Sequence, residues 1–238
     1  MEITQTNRFS KPKQFWEWFR RNAQHYRKPQ FASKKEALYL LREMTMHLMA
    51  YGQTIRVEIY WPNKEGDGEI EVVFTTYGRT RHFRKVEMLV AKAPPLPGWT
   101  FFALDPPRPI DFFFEVDFPH LDIDPFKLWF EPPDFSNNRE RSWLQVYIDT
   151  WTEITQQHVQ AARAAAYNVL GEKVYGLRII DVEVERLCEI SEKQKNHLVN
   201  LQNAHQYIHV TEVAGVYVND KGRIEQRPSQ DGSIRDKR

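Results

Sequence analysis

The sequence predicts an α+β fold in which two β-β-α-β units form antiparallel sheets with helices packed on one face, after an N-terminal pair of helices. The spacing of apolar residues changes between the helical period of about 3.6 and the strand period of about 2, and the order strand, strand, helix, strand occurs twice. With 41% hydrophobic and 13% aromatic side chains among 238 residues, the chain can bury a large core. These observations together predict a folded chain with an internal repeat.

The N-terminal helices are predicted from residue spacing and from a capping pattern. Phe15, Trp18 and Phe19 stand at positions i, i+3 and i+4, which places them on one side of a short amphipathic helix. Ser33 and Glu36 form the pattern of a capping box at the start of a second helix. We therefore expect two helices before the first strand.

In the first β-β-α-β unit, apolar and polar residues alternate over 55–61 and again over 70–76, which predicts a hairpin. Helical spacing follows Gly78 and stops at Pro94 and Pro95, because proline cannot continue a helix. The segment WTFFALD supplies the third strand of this unit.

The second unit repeats this order. PFKLWFE and WLQVYID are predicted strands, and YGLRIIDVEVER supplies a third. The helix between the last two is predicted to begin at a capping box of Thr150 and Glu153 and to end at Gly171. Between the two units, IDFFFEVD is predicted to be an extra strand or a connector.

The rest of the chain is predicted to add a helix in SEKQKNHLVNLQNAH, a last strand in YIHVTEVAGVYVND and a polar tail that we expect to be mobile. The predicted segments are an N-terminal helical pair (1–52), a first unit (53–104), a connecting strand and turn (105–124), a second unit (125–186), a C-terminal helix and strand (187–218) and a mobile tail (219–238).

The charges of the chain nearly cancel overall and separate locally. The net charge is +1, so no global field favours nucleic acid, a membrane or an acidic substrate. Residues 1–35 hold nine basic and two acidic side chains, and residues 105–153 hold eleven acidic and four basic ones, so the two segments carry +7 and −7. Such segments can face each other, join copies of the chain head to tail, or be solvated, and solvation is the commonest outcome.

The chain carries no pattern for secretion, membrane insertion or disulfide formation. Cys188 is the only cysteine, so neither an intrachain disulfide nor a cluster of metal-binding thiolates is expected. No apolar run of about 18 residues and no apolar leader occurs. We therefore expect a reducing, cytoplasmic location.

Two stretches resemble a pattern seen in uncharacterised bacterial proteins. The first runs from Glu69 to Trp99, where a strand ending in TTYG precedes a helix and then LVAKAPPLPGW. The second covers 167–184, where a helix ending in YNVLGE precedes a strand, and together the two span under a quarter of the chain. The resemblance implies this fold and a bacterial cytoplasmic setting, and it implies no activity. The alternation of hairpin and helix also resembles ferredoxin-like regulators that bind other proteins, by analogy of fold only.

The acidic segment DFPHLDIDP is the one candidate for a metal site. If IDFFFEVD is a strand, its alternate acids share one face, and the next segment could fold back to add further ligands. Such an oxygen-rich set suits Mg²⁺ or Mn²⁺ and predicts, as an alternative function, a metal-dependent hydrolase. The competing interpretation, a solvated polar face beside a proline turn, is the one we favour. The candidate ligands are Glu115, Asp117, His120, Asp122 and Asp124.

No catalytic residue and no cofactor are predicted, because the chain has no phosphate-binding glycine loop, nucleophile elbow or cysteine-histidine pairing. His158 falls on the apolar stripe of its helix, where a hydrogen-bonded structural histidine is expected. We expect a non-enzymatic protein-binding or regulatory module, such as an immunity-type protein, with a protein partner or self-association, and we disfavour nucleic acid. Candidate protein-binding residues are Trp16, Arg20, Arg21 and Tyr26.

Overall fold

A computed structural model of the chain describes residues 10–27, 34–62, 69–112, 114–135, 141–210, 216–218 and 224–226. The chain divides into two compact units. The first unit comprises Met1–Asp105 with Ala214–Arg227, and the second comprises Pro106–Val213 with Pro228–Arg238. The predicted α+β class, with its N-terminal pair of helices, is confirmed.

The described residues form nine strands and six α-helices. The strands are β1 (Arg56–Tyr60), β2 (Ile70–Thr75), β3 (Trp99–Ala103), β4 (Leu128–Phe130), β5 (Ser142–Ile148), β6 (Ile179–Arg186), β7 (Val199–Asn200), β8 (Val216–Val218) and β9 (Ile224–Gln226). The helices are α1 (Pro12–Asn22), α2 (Lys34–Leu48), α3 (Phe83–Val90), α4 (Phe114–Asp117), α5 (Gln156–Arg178) and α6 (Glu192–Lys195). Across these residues, no helix combines the length and the apolar character that a membrane span needs.

Both sheets are mixed, where the sequence predicts antiparallel ones. In the first unit the order is β1-β2-β3-β8-β9, with β1 antiparallel and β3 parallel to β2. In the second the order is β6-β5-β4-β7, with β4 antiparallel and β6 parallel to β5. A helix between two strands returns the chain to its starting end, so α3 and α5 each produce a parallel neighbour. The strands β1, β2 and β3 thus pair as β4, β5 and β6 do, while the other strands of the two sheets differ.

Helix α1 packs its aromatic face on the sheet of the first unit. Phe15, Trp16 and Phe19 are buried, and the rings of Trp16 and Phe101 lie 4.7 Å apart between centroids. The indole nitrogen of Trp16 donates a hydrogen bond of 2.7 Å to the carbonyl oxygen of Leu89 in α3. Burial of three large rings gives this short helix its stability, since an isolated helix of this length is marginal in water.

The direction of α1 follows from two of its ring contacts. The ring of Phe15 lies 5.8 Å from that of Phe74 near the end of β2, and the ring of Phe19 lies 5.2 Å from that of Trp99 at the start of β3. Helix α1 therefore begins at the end of the sheet where the parallel strands β2 and β3 stop.

In the second unit, α5 covers one face of the sheet with small side chains. Leu144, Val146 and Ile148 of β5 belong to the same buried cluster as Ala161 and Ala165 of α5. Alanine on a helix allows close approach to a sheet and favours helix formation at the same time.

The ends of α5 differ from the prediction. The helix begins after Thr155, where the Nδ1 atom of His158 accepts the Thr155 N–H at 3.1 Å, so the predicted capping box of Thr150 and Glu153 is wrong. At Gly171 the chain leaves helical geometry (φ 70°, ψ 162°), and it then resumes the helix as far as Arg178. Those dihedral angles are accessible almost only to glycine.

Three other segments differ in part from their predicted structure. In the segment IDFFFEVD, predicted to be an extra strand or a connector, residues 110–112 form a turn and Phe114–Asp117 form the short helix α4, in which Phe114 is buried. The expected helix after Ser191 is only the single turn α6, followed by β7 and a 3-10 helix, Leu201–Gln206. Within the tail, Ile224–Gln226 forms β9, which pairs with β8. Ser33, the loop residues 63–68 and the rest of the tail lie outside the described residues.

We expect the variant Trp16→Ala to lower the free energy of unfolding by about 3–5 kcal/mol, because it removes a buried ring and its hydrogen bond. The matched variant Arg20→Ala, on the exposed side of the same helix, should change that free energy by no more than about 0.5 kcal/mol. Guanidinium denaturation followed by circular dichroism measures both. Equal effects of the two variants would contradict the packing of α1.

Candidate functional site

The four predicted protein-binding residues separate into two groups in the structure. Trp16 and Tyr26 are buried, so the expectation that they form a binding surface is wrong. Arg20 and Arg21 are exposed in the last turn of α1. The hydroxyl of Tyr26 donates a hydrogen bond of 2.7 Å to Oε2 of Glu43. Burial, and next this carboxylate, raise the pKa of the Tyr26 hydroxyl far above its usual range.

The acidic segment has one side in water and one side against the core. Asp117, His120, Asp122 and Asp124 are exposed, and the backbone of Glu115 lies in α4. The residues between them pack against the core of the second unit: Phe118, Leu121 and Ile123.

Asp124 has a structural role in this segment. Its side chain accepts the Phe126 N–H at 3.0 Å, which caps the 3-10 helix Pro125–Lys127. No three His, Cys, Asp or Glu side chains among the described residues are placed to hold a metal ion. The alternative function of a metal-dependent hydrolase stays a prediction from the sequence, and the described residues do not bring together a set of metal ligands for it.

The face of the second sheet that points away from α5 presents aromatic and acidic side chains together. Strand register places Trp129 opposite Tyr147 and Tyr147 beside Glu185, while Gln145 lies beside Glu183. Side chains at paired positions project to the same face of a sheet. We call this surface the outer face; its members are Trp129, Glu131, Trp143, Gln145, Tyr147, Asp149, Glu183 and Glu185.

The centre of the outer face is buried and its border is in water. Tyr147 is 4% exposed and Trp143 is 50% exposed. Burial, and next the charges of Glu185 and Glu131, raise the pKa of the Tyr147 hydroxyl, so both carboxylates act on this ring. The Nε2 atom of Gln145 is buried and has no hydrogen-bond partner among the described residues. This buried amide of Gln145 would be stabilised by a hydrogen-bond acceptor on a bound partner.

A bulge at the start of β6 places the side chains of Ile180 and Asp181 on opposite faces of the sheet. The pairing of β5 with β6 shifts register between Ser142 and Leu144, so β6 gains a residue there. Asp181 forms two bonds with Arg163 of α5, at 2.7 and 2.8 Å, whereas Ile180 is 47% exposed. The bulge therefore leaves an apolar side chain in water near Trp143.

Charge on the outer face has one sign. Glu131, Asp149, Glu183 and Glu185 are exposed, and none of the eight residues that define this surface is a lysine or an arginine. Arg141, just before β5, donates a hydrogen bond to the carbonyl oxygen of Ile179. Acidic side chains around partly exposed tryptophans can attract a cationic surface and then bury apolar area against it. The sequence shows the alternation of side chains in WLQVYID and VEVER. It does not show the strand register that brings these side chains together on one face.

Comparison of the chain with known protein families, with curated proteins and with solved structures finds no match. The resemblance of residues 69–99 and 167–184 to uncharacterised bacterial proteins therefore has no matching family to support it.

The hydroxyl of Tyr175 on α5 gives a prediction about stability at alkaline pH. Burial, and next the charge of Asp181, raise the pKa of Tyr175 to about 12, while Arg163 and Arg141 lower it. A raised folded-state pKa stabilises the protein fully below pH 10, where the unfolded tyrosine is also neutral, and this contribution is lost as the pH rises from about 10 to about 12. The loss should be about 2–3 kcal/mol.

The variant Tyr175→Phe should have a smaller decrease in unfolding free energy over the same pH interval, because phenylalanine does not ionise. Urea denaturation at a series of pH values measures this decrease. If wild type and variant have parallel pH profiles, Tyr175 does not carry the linkage.

Proposed function

We propose that this protein is a non-enzymatic, regulatory protein-binding module of the bacterial cytoplasm, and that the outer face of its second unit binds a basic surface on another copy of the chain. The observation that carries the proposal is the combination of exposed tryptophan and uniform negative charge on one sheet face. Aromatic side chains supply most of the binding energy at protein interfaces, and charges at the border set the partner and the association rate.

The second copy is proposed as the occupant because its α1 presents the complementary charge. The side chain of Lys13 is 85% exposed, and Arg20 lies seven residues later on the same side of the helix. Arg21 is exposed beside Arg20. Within the described residues, neither arginine forms an ion pair. Only Glu17, 3.9 Å from the amine of Lys13, offsets this charge on the helix.

The two surfaces lie on different parts of the chain, so two arrangements of copies satisfy the proposal. Two copies exchange both surfaces in a closed dimer, or each copy joins two neighbours in a ring or an open chain. Exposed ion pairs contribute only about 0.2–1 kcal/mol each, so the buried area around Trp143 must supply the rest of the affinity.

We expect sedimentation velocity to show association that grows with protein concentration and weakens with salt. The variant Arg20→Glu/Arg21→Glu and the variant Glu183→Lys/Glu185→Lys should each weaken association by about tenfold or more, since attraction becomes repulsion. An equal mixture of the two variants should recover most of the affinity, because reversed charges again meet opposite ones.

The matched control is Lys193→Glu/Lys195→Glu on α6, which reverses two charges that belong to neither surface and should leave association unchanged. A wild-type protein that remains monomeric up to about 1 mM would rule out the proposal, because the binding free energy would then be weaker than about −4 kcal/mol.

A further inference from the structure

The turn between β2 and α3 concentrates positive charge around one exposed aromatic ring. Four basic side chains there are exposed: Arg79, Arg81, Arg84 and Lys85. The sequence holds no acidic residue from Val72 to Val86. In the described part of the chain, none of the four cations has a carboxylate within ion-pair distance. We call Tyr77 and these four residues the basic turn.

Two of the cations contact uncharged neighbours in the first unit. The amine of Lys85 lies 4.9 Å from the centre of the Tyr51 ring, and Nε of Arg81 donates a hydrogen bond of 3.0 Å to Nε2 of His82. Arg84 and Lys85 lie in the first turn of α3, where the helix presents its positive end and acidic residues are normally preferred. Helix α1 begins at the same end of the sheet, with Lys11 as its exposed N-cap residue. Positive charge gathered at this end is stabilised if a polyanion binds there.

Tyr77 adds a feature that charge alone does not explain. Its side chain is 64% exposed, and its backbone has a left-handed φ of 51°, which is rare for a residue other than glycine. Gly78 follows with a φ of 77°. The Tyr77 N–H donates a hydrogen bond of 2.9 Å to Oγ1 of Thr75, which holds the turn in place. The ring of Tyr77 is therefore largely exposed in the same turn as Arg79.

We propose that the basic turn is a binding site for single-stranded nucleic acid. Phosphate groups of the strand pair with Arg79, Arg81, Arg84 and Lys85, and one base stacks on the ring of Tyr77. Proteins bind single strands with this combination of cations that follow the backbone and aromatic rings that stack bases. An acidic protein or an inorganic polyanion would bind the four cations but would gain nothing from the ring of Tyr77.

This inference does not depend on the proposed self-association, which uses α1 and the outer face of the second unit. The prediction from the sequence disfavours nucleic acid because a net charge of +1 gives no long-range attraction. The basic turn is a local cluster of charge, which the net charge of the whole chain does not describe.

The test is fluorescence anisotropy of a labelled oligothymidine of about 12 nucleotides, a length within the range that single-strand sites cover. Four phosphate contacts predict that the logarithm of the binding constant falls with the logarithm of salt concentration with a slope of about −3. The variant Arg79→Glu/Arg81→Glu should weaken binding and reduce the slope to about −1.5. Absence of binding at low salt would overturn the proposal.

The matched control is Lys193→Glu/Lys195→Glu, which changes the net charge equally and lies on α6 of the second unit. It should bind the oligonucleotide as the wild type does. If it loses as much affinity as Arg79→Glu/Arg81→Glu, binding follows net charge and the basic turn is not the site. Thermal unfolding of each variant shows whether the first unit remains folded.

The variant Tyr77→Ala separates stacking from charge. It should weaken binding by roughly 5- to 150-fold, the range for loss of one stacked base, and leave the salt slope unchanged. If Tyr77→Ala binds like the wild type, or if polyglutamate of equal charge displaces the oligonucleotide at equal charge concentration, a polyanion of another class is the ligand and the proposal is wrong.

Discussion

Burial of helix faces against one side of each sheet is the constraint on which the binding surfaces of this protein depend. Because α1 places Phe15, Trp16 and Phe19 in the core, its arginines stand on the opposite side, in water. Because α5 covers the inner face of β5, the alternating residues of that strand occupy the other face. Each proposed protein-binding surface is therefore the reverse side of a packed element, and its composition follows from what the core requires.

The parallel pairing in each unit sets a second constraint. Helices α3 and α5 must return the chain to the end from which it left, so the turn after β2 lies at the same end of its sheet as the end of β3. In the first unit this turn is Thr76 to Arg79, with Tyr77 exposed. At a physiological salt concentration charges are screened beyond about 8 Å, so these cations act only on groups close to them. A small net charge is thus compatible with strong local binding.

Much of the fold could be predicted from the sequence because the periods of apolar residues were clear in most strands. For IDFFFEVD the sequence left a strand and a connector as alternatives, because a single helical turn buries Phe114 as well as a strand would. Trp16 was predicted to be exposed because the spacing of apolar residues in α1 suggests a single buried side. In the structure α1 contacts both the sheet and Leu89 of α3, so a wider part of the helix is buried. The outer face needed the register that sets Gln145 beside Glu183, and register depends on long-range pairing that local spacing does not specify.

The central claim is that the outer face of one copy meets α1 of another, and chemical cross-linking tests it most directly. A carbodiimide joins a lysine amine to a carboxylate only when the two touch, and Lys13 is the exposed amine on the proposed side of α1. In an equal mixture of unlabelled and ¹⁵N-labelled protein, we predict peptides that link Lys13 to Glu183 or Glu185 and carry mixed isotope labels. Cross-links between α1 and the outer face that carry only matched labels, or none at a concentration where the protein self-associates, would contradict the account.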